Sequence, residues 1–265
     1  MFHHVIIGQY VRGNSIVHRF DARAKLLAVF IVTVFLFLAN NWQTIALVTI
    51  FVIASIFFAK IPFRFLYKGL KPVLLLVFVT FLLHLIFQQD GEVLYSLGPV
   101  TIYKEGLKTG TFIAIRLISI VTVASLLTLT TTPMELTNAF AALLTPLKKI
   151  GLPAHELAFM MSLALRFIPT LLEEAEKIIK AQTARGVDFS SGTLKERTKA
   201  LASILLPLLI SAFRRTEELA YAMEARGYRG GEGRTSLYVF RWQRKDTMLL
   251  MIVFIFASLL FVLRT

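Results

Sequence analysis

The chain has 265 residues, 56% of them hydrophobic, and a formal net charge of +13. The apolar share exceeds the roughly 45–50% usual for soluble domains and is gathered into long runs, so the positive charge points to cytoplasmic loops and anionic headgroups rather than nucleic acid. With no cysteine, disulfides, thiol catalysis and thiolate metal sites are excluded.

In chain order, residues 1–20 are mixed, and Gly8, Gly13 and Asn14 break any long helix. No early apolar core with a small-residue cleavage site precedes Lys25, so a removable signal peptide is not expected. Asp21 is an N-cap candidate for a first span over Ala22 to Ala39, with Arg23 and Lys25 placed to snorkel to headgroups. Asn40-Asn41 makes a turn, Trp42 suits an interfacial belt, and Thr44 to Ala59 crosses back. Lys60, Arg64, Lys68 and Lys71 crowd the next connection, bounded by Pro62 and Pro72. Val73 to Phe87 is the third span. Val93-Leu94-Tyr95 and Val100-Thr101-Ile102-Tyr103 are set to pair as a hairpin around Gly98-Pro99. Gly106 to Leu129 is the fourth span and Thr247 to Leu263 the fifth.

The intervening stretch, Thr131 to Asp246, carries 17 of the 29 Lys and Arg residues. Three helices are predicted in it. The first has Thr132 as N-cap, Pro133 at the first helical position and Glu135 at the third, and runs to about Leu144. The second runs from Pro153 to Arg185 and stops at Gly186. The third follows Gly192-Thr193, runs from Leu194 to Arg226 and stops at Gly227. The apolar parts of these two helices, Leu157 to Leu172 and Leu201 to Phe213, are short for a span, contain Pro169 and Pro207, and have charged flanks. They read as kinked helices that graze the membrane rather than as a sixth span. Residues 1–130, 131–246 and 247–265 are then a membrane part, a cytoplasmic module and a last span. Lys and Arg counts put the N-terminus inside and the C-terminus outside.

The second and third helices resemble each other. With Arg185 aligned on Arg226, Glu176 matches Glu217, Ile178 matches Leu219, Ala181 matches Ala222 and Ala184 matches Ala225. Each helix closes on the same tripeptide, Ala184-Arg185-Gly186 and Ala225-Arg226-Gly227. Taken singly, either tripeptide is an ordinary C-cap with a cation at the negative dipole end. Two copies in one basic module favour two docking points, because small neighbours let each guanidinium enter a partner's groove and hold carboxylates.

On these residues, and on Gly8-Gln9-Tyr10 through His18-Arg19-Phe20-Asp21-Ala22-Arg23-Ala24-Lys25-Leu26, nearly the whole chain resembles the T component (EcfT) of energy-coupling factor transporters. The resemblance implies a non-catalytic coupling subunit of an ATP-driven importer. Two ABC ATPase subunits, of the EcfA and EcfA′ type, would each take one arginine motif. A separate membrane S component would bind the vitamin or metal ion. ATP and Mg are expected on the ATPases, with no cofactor on this chain.

The sequence lacks a phosphate loop, a Gly-x-Ser-x-Gly elbow and a His-Glu-x-x-His motif. His3-His4 has no third ligand nearby and is not expected to hold a metal. His84 reads as a packing residue within a span. Glu173, Glu174 and Glu176 read as an ion-paired face with Lys177 and Lys180. Arg116, three turns into the fourth span, is either functional or bonded to neighbouring carbonyls. Met160, Met161, Met223, Met248 and Met251 suit adaptable helix packing. The expectation is an all-α integral membrane protein with about five transmembrane helices, three long coupling helices and a small extracellular β-hairpin, embedded in a bacterial plasma membrane. The alternative is a stand-alone secondary transporter.

Overall fold

The computed structural model describes residues 10–88, 90–97, 100–146, 153–189, 193–230 and 242–264. Eight α-helices and one hairpin are found among them: α1 (Ala22–Leu36), α2 (Trp42–Ala59), α3 (Phe63–Phe87), β1 (Val93–Leu97), β2 (Val100–Tyr103), α4 (Lys104–Thr130), α5 (Pro133–Leu144), α6 (Ala154–Ala184), α7 (Leu194–Ala225) and α8 (Arg244–Leu263). They fall into two compact units, one holding residues 10–139 and 242–264, the other the described residues from 140 to 230.

Four helices of the first unit, α2, α3, α4 and α8, are long and apolar enough to cross a membrane. The expected first span is less regular. Its α-helix ends at Leu36 after 15 residues, about 22 Å at the usual rise. Phe37, Leu38 and Ala39 then bond back to Val34, Phe35 and Leu36, the tighter i→i+3 pattern of a 3₁₀ turn. The Asp21 cap is present, its carboxylate accepting from the Arg23 amide at 2.9 Å. The third span starts earlier than expected. Pro62 caps α3, and Pro72 lies inside the helix instead of bounding it. A proline in such a helix frees only the carbonyl four residues back, here that of Lys68 near the helix start.

The helices of this unit pack α1 on α4 and α8, α2 on α4 and α8, and α3 on α4. Val32, Leu36, Val48, Val253 and Leu260 are its fully buried centre, and Phe51 stacks on Phe256 with ring centroids 4.1 Å apart. The α3–α4 contact is close because Gly106 and Gly110 face α3; a Cβ at Gly106 would meet the His84 carbonyl oxygen at 2.9 Å. The hairpin has the expected pairing, Leu97 opposite Val100 and Tyr95 opposite Ile102, with a bulge between Val93 and Tyr95. Gly98-Pro99 lie outside the described residues.

Lys25 does not snorkel. It is 5% exposed, and its ammonium donates to the carbonyls of His18 (3.3 Å) and Thr130 (3.0 Å) and to the Thr131 hydroxyl (3.3 Å). The carbonyls at a helix C-terminus lack intrahelical partners, and a lysine with three donors satisfies the one that ends α4. Arg23 stays at the surface of the same turn, ion-paired with Asp21 at 3.0 Å and lying 5.6 Å over the Trp242 ring. Asp246, 1% exposed, accepts from the Asp21 and Gln243 amides, each at 2.8 Å. The first turn of α1 therefore holds both the end of α4 and the start of α8.

In the second unit, α6 and α7 lie antiparallel. Gln182 donates to the Ser203 carbonyl at 3.3 Å, and Glu174 accepts from the Ser211 hydroxyl and, at 3.3 Å, from Arg215. Glu174 thus pairs across to α7 rather than along its own helix with Lys177. Pro169 and Pro207 both lie inside their helices. Pro207 frees the Ser203 carbonyl, and Gln182 supplies the replacement donor.

Candidate functional site: the two arginine caps

Both tripeptides end their helices in the same way. The Gly186 amide bonds the Thr183 carbonyl (3.0 Å) and the Val187 amide the Gln182 carbonyl (3.0 Å). The Gly227 amide bonds the Glu224 carbonyl (2.8 Å) and the Tyr228 amide the Met223 carbonyl (3.0 Å). Each set is a Schellman motif, which needs a left-handed residue just past the cap. The glycines supply it, with φ of +87° and +68°. Among the described residues nothing lies within 4 Å of a Cβ built on either glycine, so there they answer to backbone conformation alone and leave open space beside the cap.

Arg185 and Arg226 are the cap residues themselves, with φ, ψ of −85°, 5° and −89°, 7°. Both are exposed, and neither makes an ion pair with any described residue. Ala184 and Ala225, the last helical residues, are exposed too. The antiparallel register sends the two caps to opposite ends of the pair. Glu174 faces Ser211 and Gln182 faces Ser203, so Arg226 falls opposite about residue 159. From there to Arg185 is roughly 40 Å of helix at 1.5 Å per residue. The sequence gives two similar helix ends; their separation follows only from the pairing.

The Arg226 end also forms a cleft of about 440 Å³. Phe159, Leu163 and Arg166 line it from α6 and Leu219, Met223 and Arg226 from α7, with Tyr228 and Arg229 beside them. Phe159 and Tyr228 stack at 5.6 Å. Arg166 and Arg229 are not singled out by the sequence argument. The available signal is that Phe159-Leu163-Arg166 and Leu219-Met223-Arg226 share the same i, i+4, i+7 spacing, which sets each triad on one helix face.

The other candidates resolve simply. Arg116 donates to the Ala39 carbonyl, the neighbouring-carbonyl alternative, and satisfies the end of the turn after α1. His84 bonds its own helix through the Thr80 carbonyl at 2.8 Å. His3 and His4 lie outside the described residues.

A family model described as CbiQ, cobalt transport protein, matches residues 13–237. The chain belongs to this family. It is 52% identical over the full length of both chains to the energy-coupling factor transporter transmembrane protein EcfT of Bacillus subtilis (strain 168). It is 48% identical to the protein of the same name from Listeria innocua, again over the whole of both chains. With the EcfT protein of Exiguobacterium sibiricum it shares 46% identity over 98% of this chain and 99% of the relative. The CbiQ match spans α1 to α7 and includes both arginine caps.

Proposed function

We propose that this chain is the non-catalytic energy-coupling subunit of an ECF-type importer in a bacterial plasma membrane. Arg185 and Arg226 each dock one ABC ATPase, and the chain passes ATPase opening and closing to an S component that binds the vitamin or other micronutrient. ATP and Mg act on the ATPases. The observation that carries this reading is the pair of identical, exposed arginine caps at opposite ends of α6 and α7. The helix pair then holds the two docking points roughly 40 Å apart, and relative motion of the partners becomes motion of the pair. Kinks at Pro169 and Pro207 would bend the apolar halves of the helices toward the bilayer.

The apolar face of α7 supports the S-component role. Leu201, Leu205, Leu209 and Phe213 are each 54–63% exposed at i, i+4 spacing. So large an uncovered apolar stripe is a contact surface for a membrane partner. The N-terminus lies on the ATPase side and the C-terminus outside, which places the hairpin outside as well.

The test is charge reversal. Arg185→Glu and Arg226→Glu should each abolish uptake and release an ATPase in detergent extracts while the chain remains inserted. Normal uptake with both arginines reversed would sink the proposal. Solute uptake by the purified chain alone would replace it with an autonomous secondary transporter.

A further inference from the structure

The two arginine caps share one backbone geometry but differ in their surroundings. Past Gly186 the chain reads Val187-Asp188-Phe189, with an acidic residue; past Gly227 it reads Tyr228-Arg229-Gly230, with a basic one. Arg229 lines the cleft at the α7 end together with Arg226 and, from the far helix, Arg166. That puts three guanidiniums on one cleft whose lining, among the described residues, contains no carboxylate. None of the three has an ion pair among the described residues. The stacked Phe159 and Tyr228 rings form an apolar wall beside them.

We infer that this three-arginine cleft receives an acidic segment of one ATPase and so fixes which ATPase sits at the α7 end; Arg166 and Arg229 are its specificity-determining residues. The inference rests on the coupling reading given above. Three like charges around one cleft repel one another until a counter-charge enters, and planar guanidiniums favour paired carboxylates over a single acid. The aromatic wall offers apolar contact to the stem of an entering Glu or Asp. An ATPase lacking those carboxylates would leave the arginines desolvated and unpaired, so the cleft selects by rejection as well as attraction. The α6 end, with Asp188 in the matching position, carries no such preference and takes the other ATPase.

The experiment uses the full chain, tagged in its native host and extracted with both ATPases. The double variant Arg166→Gln/Arg229→Gln should lower recovery of one ATPase about tenfold or more relative to the other, the range expected for losing close charge pairs. Arg166→Lys/Arg229→Lys keeps the charge without the planar fork and should recover part of the loss. The residual binding of the affected ATPase should weaken further with added salt. Equal recovery of both ATPases, or equal loss of both, overturns the inference. Loss of co-extracted anionic phospholipid with both ATPases retained also overturns it, and makes a lipid headgroup the occupant. Arg226→Glu separates this failure from that of the coupling reading. If it releases an ATPase while the double variant does not, only the role of Arg166 and Arg229 falls; if it releases none, the coupling reading falls as well.

Discussion

Gly186 and Gly227 set what each arginine can do. Each must turn the chain left-handed so that the last carbonyls of its helix are met, and each leaves its flank open. An alanine meets no steric obstacle at either place, so its penalty is conformational, about 1–2 kcal/mol for an L-residue held at positive φ. Gly186→Ala and Gly227→Ala should each destabilise the closing turn by about that amount, and Asn, which tolerates the left-handed region, by less. Amide exchange at Val187 and Tyr228, whose N–H groups close the two motifs, measures it directly. Equal protection in the Ala and wild-type chains would mean that the turn is set by something other than the glycine. The Gly is thus an ordinary cap in both copies, and any docking falls to the exposed arginine.

At the scale of elements, helix starts were readable because their side chains bond locally. Thr132 and Glu135 cap α5 reciprocally at 3.2 and 3.0 Å, and Thr193 and Glu196 do the same for α7 at 3.4 and 2.8 Å. The bonds from Thr193 hold the Glu196 carboxyl below its ordinary 4.5. A carboxyl whose folded pKa is depressed adds stability that is present above its unfolded value and is lost as pH falls through the folded one. The first turn of α7 should therefore fray as pH drops below about 4.5, while the wild-type chain holds it at neutral pH. Thr193→Ala should fray it at neutral pH too, by about 1 kcal/mol. Exchange of the Glu196 and Arg197 amides against pH reads both effects, and a flat profile would show the box to be idle. What the sequence did not reveal is long-range. Pro72 looked like a boundary because its freed carbonyl lies in a turn the local pattern cannot place. Arg166 lies in an apolar run of α6, and Arg226, 60 residues away, meets it only through the antiparallel register.

At the scale of the whole molecule, the end of α4 at Thr130 and the start of α8 at Arg244 bracket the segment that holds α5 to α7, and both places are tied to the first turn of α1. Lys25 holds Thr130 and Thr131, and the Asp246 carboxylate holds the Asp21 amide. The positive end of α1 thus receives a carboxylate while its lysine receives a helix C-terminus, so each tie is favoured by the dipole it meets. A coupling subunit needs such fixed points, since motion passed along α5 to α7 is wasted if the junctions slide. Lys25→Met keeps the stem's packing and removes three hydrogen bonds, leaving the buried Thr130 carbonyl without its lysine. The expected loss is about 1–3 kcal/mol, seen as a lower thermal midpoint in detergent. In proteoliposomes with the partner subunits, ATP hydrolysis should continue while uptake per ATP falls, because the arginine caps are untouched and only the junction has loosened. Hydrolysis and uptake falling in step would instead make Lys25 a residue of general stability. An unchanged ratio with an unchanged midpoint would mean that α1 and α4 hold together without it, and that the fixed point lies at Asp246.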